Sequence, residues 1–293
     1  MTSAVVVPLF DPSAEVVSRL VDLARHRPVV AVDDSPEVTD RSVLAQLAHQ
    51  GVVVLRHERN RGIAAALNTG IAHVAKNDLI TAILTLDQDS FASLAYVAAA
   101  EALLSNAHLG LVYPHMLDAE PQVGAWRNGL WEALEPMQSG WLLKTAAWRD
   151  VGPFREELVI DCVDTDYYFR LLDRGWRAQA VQGMSIDHQL GTPGSFLGLF
   201  TYRQHPPFRI YFIVRNRIIT ARLHGRRHRS WALRSLGRTL KDVVKTLVVG
   251  GQRAQTLGAV ARAVRDGVGA QTDMGRGTRR VRHGGLGGRT WRS

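Results

Sequence analysis

Cysteine is almost missing from this chain: Cys162 stands alone among 293 residues. That excludes an intrachain disulfide and a cysteine-rich zinc site, and a reducing cytoplasm is the simplest setting. No stretch approaches the ~18 to 20 consecutive apolar residues needed to cross a bilayer. No cationic segment leads into an apolar run at the N-terminus, so a signal peptide is not expected. No Gly-x-Gly-x-x-Gly follows an apolar run, which argues against a dinucleotide-binding enzyme, and no P-loop is present. Acidic residues are scarce at one end only. Residues 203–293 hold three Asp/Glu against 21 Lys/Arg, a net of +18, whereas residues 1–202 hold 24 against 15, a net of −9. An acidic body with a basic tail points the tail at an anionic partner, a membrane surface or a nucleic acid.

What is present is a regular alternation. Ala4–Leu9, Val29–Val32, Gly51–Leu55 and Ile80–Leu86 are short apolar runs. Between them lie helical patterns at Ser13–Arg25 and Ile63–Ala75. Continuous apolar strands separated by helices predict an α/β fold, with a mostly parallel sheet covered by helices on both faces. Polar residues cluster just after the strands: Asp11, Asp33-Asp34, Arg59-Asn60 and Asp87-Gln88-Asp89. Ligands of open α/β sheets bind outside the carboxyl ends of the strands, so these groups are expected to line one crevice.

Each cluster has two readings. Asp87 and Asp89, one residue apart at a strand end, repel each other unless a hard divalent cation sits between them and a diphosphate; otherwise one of them caps a helix over 91–104. Asp34 can accept from a base N–H or a ribose hydroxyl, or close a turn. Gly62, followed by alanines, lets backbone approach a ligand and aims helix N-terminal amides at a phosphate. Asn68 is a ligand contact or a tie between loops. Asp161, Asp164 and Asp166 open a helical segment, where they favour its dipole or supply a general base. His188 is structural or a nitrogen ligand for a metal.

In order along the chain, Pro8, Asp33-Asp34, Asn60-Arg-Gly62 with Asn68 and Gly70, Leu84–Ser90, Ser139-Gly140, Val151–Phe154, Val163–Asp166 with Arg170, His188 with Gly191, and Phe208–Asn216 form one set. It resembles the family-two inverting glycosyltransferases, closest to their rhamnosyltransferase-like branch, over about residues 3 to 222. The resemblance implies the glycosyltransferase A fold, a Rossmann-like mixed sheet, with a basic C-terminal helical extension. A catalytic domain is expected over 1–202, and the composition adds a basic amphipathic helical extension over 203–265 and a disordered Gly/Arg-rich tail over 266–293.

The resemblance further implies metal-dependent inverting transfer of a sugar from a nucleotide donor to a hydroxyl of a glycan or lipid-linked acceptor. The donor implied is dTDP-L-rhamnose, with UDP-hexose or UDP-galactofuranose as alternatives. The nucleotide sugar would meet Pro8, Asp34, Asn60, Gly62, Asn68 and Asp87, with Asp34 on the pyrimidine. Asp87, Asp89 and His188 would hold Mg²⁺ or Mn²⁺, and Ser139, Gly140 and Trp141 would lie on the acceptor side. Asp164 falls at the base position, with Asp166 as the other choice. Val163 stands where many relatives carry Glu, and the Gln-x-x-Arg-Trp of processive members is missing. Residues 207–224 mix aromatic and aliphatic residues with arginines, as in a helix lying on anionic lipid at the inner face of the cell membrane or packing on the catalytic domain. The competing reading, a nucleic-acid-binding protein using its basic tail, meets an acidic body and no known nucleic-acid motif.

Overall fold

The computed structural model describes residues 1–36, 42–188, 194–196, 200–202, 205–249 and 252–271. Gly191 and the Gly/Arg-rich end from 272 onward lie outside the described residues. The chain divides into two compact units, Met1–Thr192 and Pro193–Ser293.

The first unit opens with β1 (Ser3–Leu9), α1 (Ala14–Ala24), β2 (Val29–Asp33), α2 (Ser42–His49), β3 (Val53–Arg56), α3 (Ile63–Val74) and β4 (Ala82–Thr85). It continues through β5 (Ser90–Phe91), α4 (Leu94–Leu104), β6 (Leu109–Leu117), β7 (Glu120–Pro121), β8 (Gly124–Arg127), β9 (Leu130–Ala133) and β10 (Trp141–Lys144). It ends with α5 (Thr145–Val151), α6 (Val163–Asp173) and β11 (Arg177–His188). The main sheet runs β3-β2-β1-β4-β10-β6-β11-β5, with β7 added to β6. Strands β1 to β4 are mutually parallel, β11 is parallel to β6, and β10 runs antiparallel between β4 and β6. Its reversed direction places Ser139-Gly140, which lead into β10, beside the carboxyl end of β4.

Apolar residues occupy both faces of the central strands, as the continuous runs require. Val5, Val7 and Leu9 pack with α1, α2 and α4 residues such as Leu20, Leu47 and Val97. Their neighbour Val6 turns to the other face, where Gly70 of α3 approaches so closely that a Cβ would fall 2.4 Å from Val6 Cγ1. Gly70 therefore fixes how tightly α3 sits on β1 and β2.

Pro8 lies inside β1, opposite Val32 of β2, rather than after the strand. Val5 N–H and Leu9 C=O bond towards β2, so alternation turns the missing N–H of Pro8 towards β4. Pairing with β4 ends at Val6, so no ladder bond is lost there.

The second unit holds β12 (Gly194–Phe196), β13 (Phe200–Tyr202), α7 (Pro207–His224), α8 (Arg229–Val249) and α9 (Arg253–Gly269). Pro207 starts α7 where its absent N–H costs nothing. Ile210 and Val214 of α7 pack with Val243 of α8 and Ala263 of α9. Arg222 closes α9 by donating to the carbonyls of Gly267 and Ala270. Helix α9 thus runs past 265, where the sequence pattern ended the extension. Helix α7 is the inner helix of this unit, with Arg215 7% and Asn216 0% exposed. Arg215 is thus turned into the unit, whereas Arg222 of the same helix is exposed. Among the described residues no helix is long and apolar enough to cross a membrane.

Candidate functional site

The carboxyl ends of β1, β2 and β4 are tied together by side chains that the strand-end clusters supply. Asp34 is buried and receives the amides of Arg61 (2.8 Å) and Gly62 (2.7 Å) and Nδ1 of His57 (2.6 Å). His57 in turn reaches Thr69 Oγ1 through Nε2 at 2.9 Å. The Asp34 carboxylate therefore organises the loop between β3 and α3. Asn60 is exposed and accepts the Gly62 amide at 2.9 Å. Gly62 allows a close approach of Val159, whose carbonyl would sit 2.6 Å from a Cβ. Asn68 is the loop tie: Oδ1 accepts from Phe154 N (2.7 Å) while Nδ2 donates to Phe154 O (2.9 Å) and Glu156 Oε1 (3.0 Å). Of the expected nucleotide contacts, Asp34, Gly62 and Asn68 thus build the wall of the crevice.

The Asp87-Gln88-Asp89 corner is different. Gln88 clamps the loop after β1, accepting Phe10 N at 2.8 Å and donating to Phe10 O at 3.0 Å. One ligand atom each of Asp87, Asp89 and His188 lie within 4.8 Å of one another. Asp89 Oδ1 is buried without a hydrogen-bond partner and stands 3.4 Å from His188 Nδ1. A cluster of two carboxylates and one imidazole, with an orphaned buried oxygen, has the donor set and the unmet electrostatic need of a divalent-cation site.

Three hydroxyl and amide groups hold this corner from behind. Ser139 Oγ takes the Asp87 amide proton (3.1 Å) and donates to Ser90 Oγ (2.7 Å), which meets His188 Nδ1 at 2.6 Å. Gln138 Nε2 donates to Asp87 Oδ1. The β5–β11 pairing, Ser90 opposite His188, brings the histidine here from the far end of the sheet, and Asp118 Oδ1 accepts the His188 amide at 2.6 Å. His188 therefore closes β11.

Ser139 is fully buried behind the aspartates and Gly140 takes φ +84°, where a Cβ would meet Ile186 Cδ1 at 2.8 Å. Trp141 has no exposed surface and packs against Phe154 and Tyr167 at ring distances of 6.4 and 6.1 Å. These three residues support the crevice from within, and the indole of Trp141 is in the core rather than facing an acceptor.

Asp164 and Asp166 part company in α6. Asp166 is 0% exposed and bound by Arg155 Nε (3.3 Å) and Arg170 Nε (2.9 Å). A base must reach the oxygen it deprotonates, and Asp166 is the less accessible of the two. Asp164 is half-buried in the first turn and accepts the Thr165 amide at 2.8 Å. The Thr165 hydroxyl also reaches Glu135 Oε2 at 3.1 Å, so a second carboxylate comes to this helix start from another segment. The turn before α6 is strained, with Val159, Asp161 and Cys162 at φ near +62°, a conformation costing about 1–3 kcal/mol per non-glycine residue. Burial raises the phenol pKa of Tyr113, Tyr167 and Tyr168 nearby. None of these phenols competes as a base at neutral pH.

Comparison with known proteins follows the same lines. Residues 4–146 match the sequence model of Glycosyl transferase family 2. The chain is 26% identical over 211 residues to the dTDP-rhamnosyl transferase RfbF of Shigella flexneri, covering 66% of this chain and 70% of that protein. It superposes on S. aureus TarS 1-349 in complex with UDP-GlcNAc with TM-score 0.60 and 16% identity, over 91% of this chain and 81% of that one. The mannosyltransferase PcManGT from Pyrobaculum calidifontis, in complex with GDP-Man and Mn2+, gives TM-score 0.57 and 16% identity, over 89% and 79%. At such identities the solved structures establish the fold alone, and it is the glycosyltransferase A type.

Proposed function

We propose that this chain, whose residues 4–146 match the Glycosyl transferase family 2 model, is a metal-dependent inverting nucleotide-sugar glycosyltransferase. It moves a sugar, L-rhamnose from dTDP-L-rhamnose in the first instance, to a hydroxyl of a glycan or lipid-linked acceptor; UDP-hexose and UDP-galactofuranose are the other donors that fit. The observation that carries the metal dependence is the convergence of Asp87, Asp89 and His188 within 4.8 Å, with Asp89 Oδ1 buried and unpartnered. Asp87 and Asp89 provide oxygens and His188 a nitrogen for Mg²⁺ or Mn²⁺. His188 Nδ1 meets Ser90 Oγ at 2.6 Å, a contact that fixes the ring in the way a ligating histidine is usually supported. The cation, when bound, offsets the charge that develops on the departing diphosphate.

The chain's own groups do the rest. Asp164 takes the proton from the acceptor hydroxyl, and that oxygen forms a bond to the anomeric carbon as the bond to the diphosphate oxygen breaks. Attack from the face opposite the leaving group inverts the configuration. Asp34 acts by holding the 57–62 loop in the shape that receives the nucleoside. Thermal unfolding measured with dTDP, UDP and GDP, each with and without Mn²⁺, tests the donor half of this reading. Stabilisation by dTDP or UDP only when metal is present is expected. At a ligand concentration of 100 Kd the gain is about 2.7 kcal/mol. No response to any nucleotide with metal would sink the assignment.

A peripheral membrane location belongs to the same reading, with α8 as the contact. Leu233, Leu236, Leu240, Val244 and Val248 are 39–74% exposed and recur at spacings of three and four, so they form one stripe along the helix. Arg234, Arg238, Lys241 and Lys245 flank it, with Asp242 the one acidic residue of the helix. An apolar stripe bordered by cations fits an anionic lipid surface, where each basic group contributes about 1 kcal/mol. The full chain is expected to sediment with phosphatidylglycerol-containing vesicles, less so at high salt, and not with pure phosphatidylcholine vesicles. The double substitution Leu233→Glu and Leu240→Glu should lower vesicle binding at least about tenfold without changing donor turnover. Unchanged sedimentation would remove α8 from this role.

A further inference from the structure

Strands β8 and β9 form a separate hairpin that the chemistry above does not use. Its turn, Asn128-Gly129, takes φ +49° and +78°, the left-handed pair that asparagine and glycine permit and that matches strand twist. The register sets Trp126 opposite Trp131 and Gly124 opposite Ala133. The two indoles meet edge to face at 5.7 Å. His115 of β6 supports both, 6.0 Å from Trp126 and 5.3 Å from Trp131. Two of the three rings are largely covered, but Trp126 is 62% exposed, with Val123 59% and Leu130 39% exposed nearby. A large aromatic ring held rigidly by two others and left open to water is a binding surface rather than core.

The hairpin is stitched to the catalytic edge of the sheet. Trp131 N donates to Gln182 Oε1 at 3.1 Å, and Gln182 Nε2 donates to Trp131 O at 3.2 Å, which fixes β9 to β11. Ala133 N donates to Tyr113 OH at 3.0 Å. The segment leaving β9 carries Glu135, bonded to Thr165 beside Asp164, and then Gln138, bonded to Asp87. The root of the hairpin thus lies between the base and the metal corner. The loop built by Asp34 belongs to β2 and β3, at the opposite end of the strand order.

We propose that this hairpin is the acceptor platform, and that Trp126 binds a pyranose ring of a glycan acceptor by stacking on its C–H face. The proposal rests on the glycosyltransferase reading and deepens it, by naming a carbohydrate rather than a lipid tail as the group recognised next to Asp164. The flat apolar faces of sugars are rings of C–H bonds edged by hydroxyls. Trp126 supplies the matching flat face. Three exposed apolar side chains fall far short of the roughly 800 Å² per partner that a stable protein interface buries, so a second copy of the chain is the poorer occupant.

Saturation-transfer NMR on the full chain with dTDP and Mn²⁺ tests this. The probes are methyl α-L-rhamnopyranoside, methyl β-D-galactopyranoside and methyl N-acetyl-β-D-glucosaminide. Transfer to ring C–H protons of at least one glycoside is expected. Trp126→Ala should weaken that binding by about tenfold, the upper range for an aromatic contact, and Trp126→Phe should retain most of it. Nucleotide signals should be the same in all three proteins. Glycoside signals that survive Trp126→Ala, or a nucleotide signal with no glycoside signal in the unsubstituted protein, would overturn the platform and leave the donor reading standing. A change in oligomeric state on Trp126→Ala with glycoside signals intact would reassign the surface to self-association. Loss of the nucleotide signals themselves would overturn both.

Discussion

Asp89→Ala is expected to lower metal-dependent sugar transfer by at least about 10²–10³-fold, the range seen when one electrostatic stabiliser of a developing anion is removed. The folded protein should not suffer for it. Asp89 Oδ1 is buried, lacks a hydrogen-bond partner and lies close to Asp87. In the absence of a cation that oxygen is a cost to the fold, so the alanine variant without metal should unfold at the same temperature or higher. Its thermal midpoint should also lose the Mn²⁺-dependent nucleotide increment. Asp89→Asn separates shape from charge: it keeps the packing but should lose most of the metal response. The pattern of lost activity with retained or improved stability is characteristic of a residue kept for chemistry. Full activity in Asp89→Ala would remove the cation from the reaction. Lost activity together with a lowered midpoint would make Asp89 a structural residue.

Much of this corner is legible in the amino-acid order, because strand ends and local polar clusters are short-range features. The apolar runs at 29–32 and 80–86 locate β2 and β4, and the helical pattern at 63–75 locates α3. The mixed apolar and arginine segment 207–224 coincides with α7. What the order hides is the partner of each polar group. Asp34 and Asn60 look alike as polar residues after strands and Asn68 as a polar residue within a helix, yet Asp34 and Asn68 bond to segments 27 and 86 residues away. Gln88, between two carboxylates, gives no sign that it clamps Phe10. Trp141 looks like an accessible aromatic until the β10 register places it in the core. Composition alone does not reveal that α7 packs with both other helices of its unit, or that α8 carries an open apolar stripe.

The same difference between pattern and partner separates Asp164 from Asp166, two residues apart on one helix, and yields opposite expectations for identical substitutions. Asp164→Asn removes a proton acceptor but keeps a side chain that can still receive the Thr165 amide at Oδ1. Transfer should fall about 10²–10⁴-fold, the contribution of a general base, with nucleotide binding, the thermal midpoint and the Mn²⁺ response unchanged. Asp166→Asn leaves Arg155 and Arg170, 25% and 20% exposed, without their shared counter-charge. Breaking a buried pair by removing one partner costs about 3–5 kcal/mol. The arginines can turn partly to solvent, so the lower end applies. Asp166→Asn should therefore lower stability first, and activity only in proportion to the folded fraction. Single-turnover transfer with saturating donor, measured beside urea unfolding of each variant, distinguishes them. If Asp164→Asn transfers at the unsubstituted rate, the base is elsewhere, and Glu135, whose carboxylate shares the Thr165 hydroxyl with Asp164, is the group the geometry puts next in line.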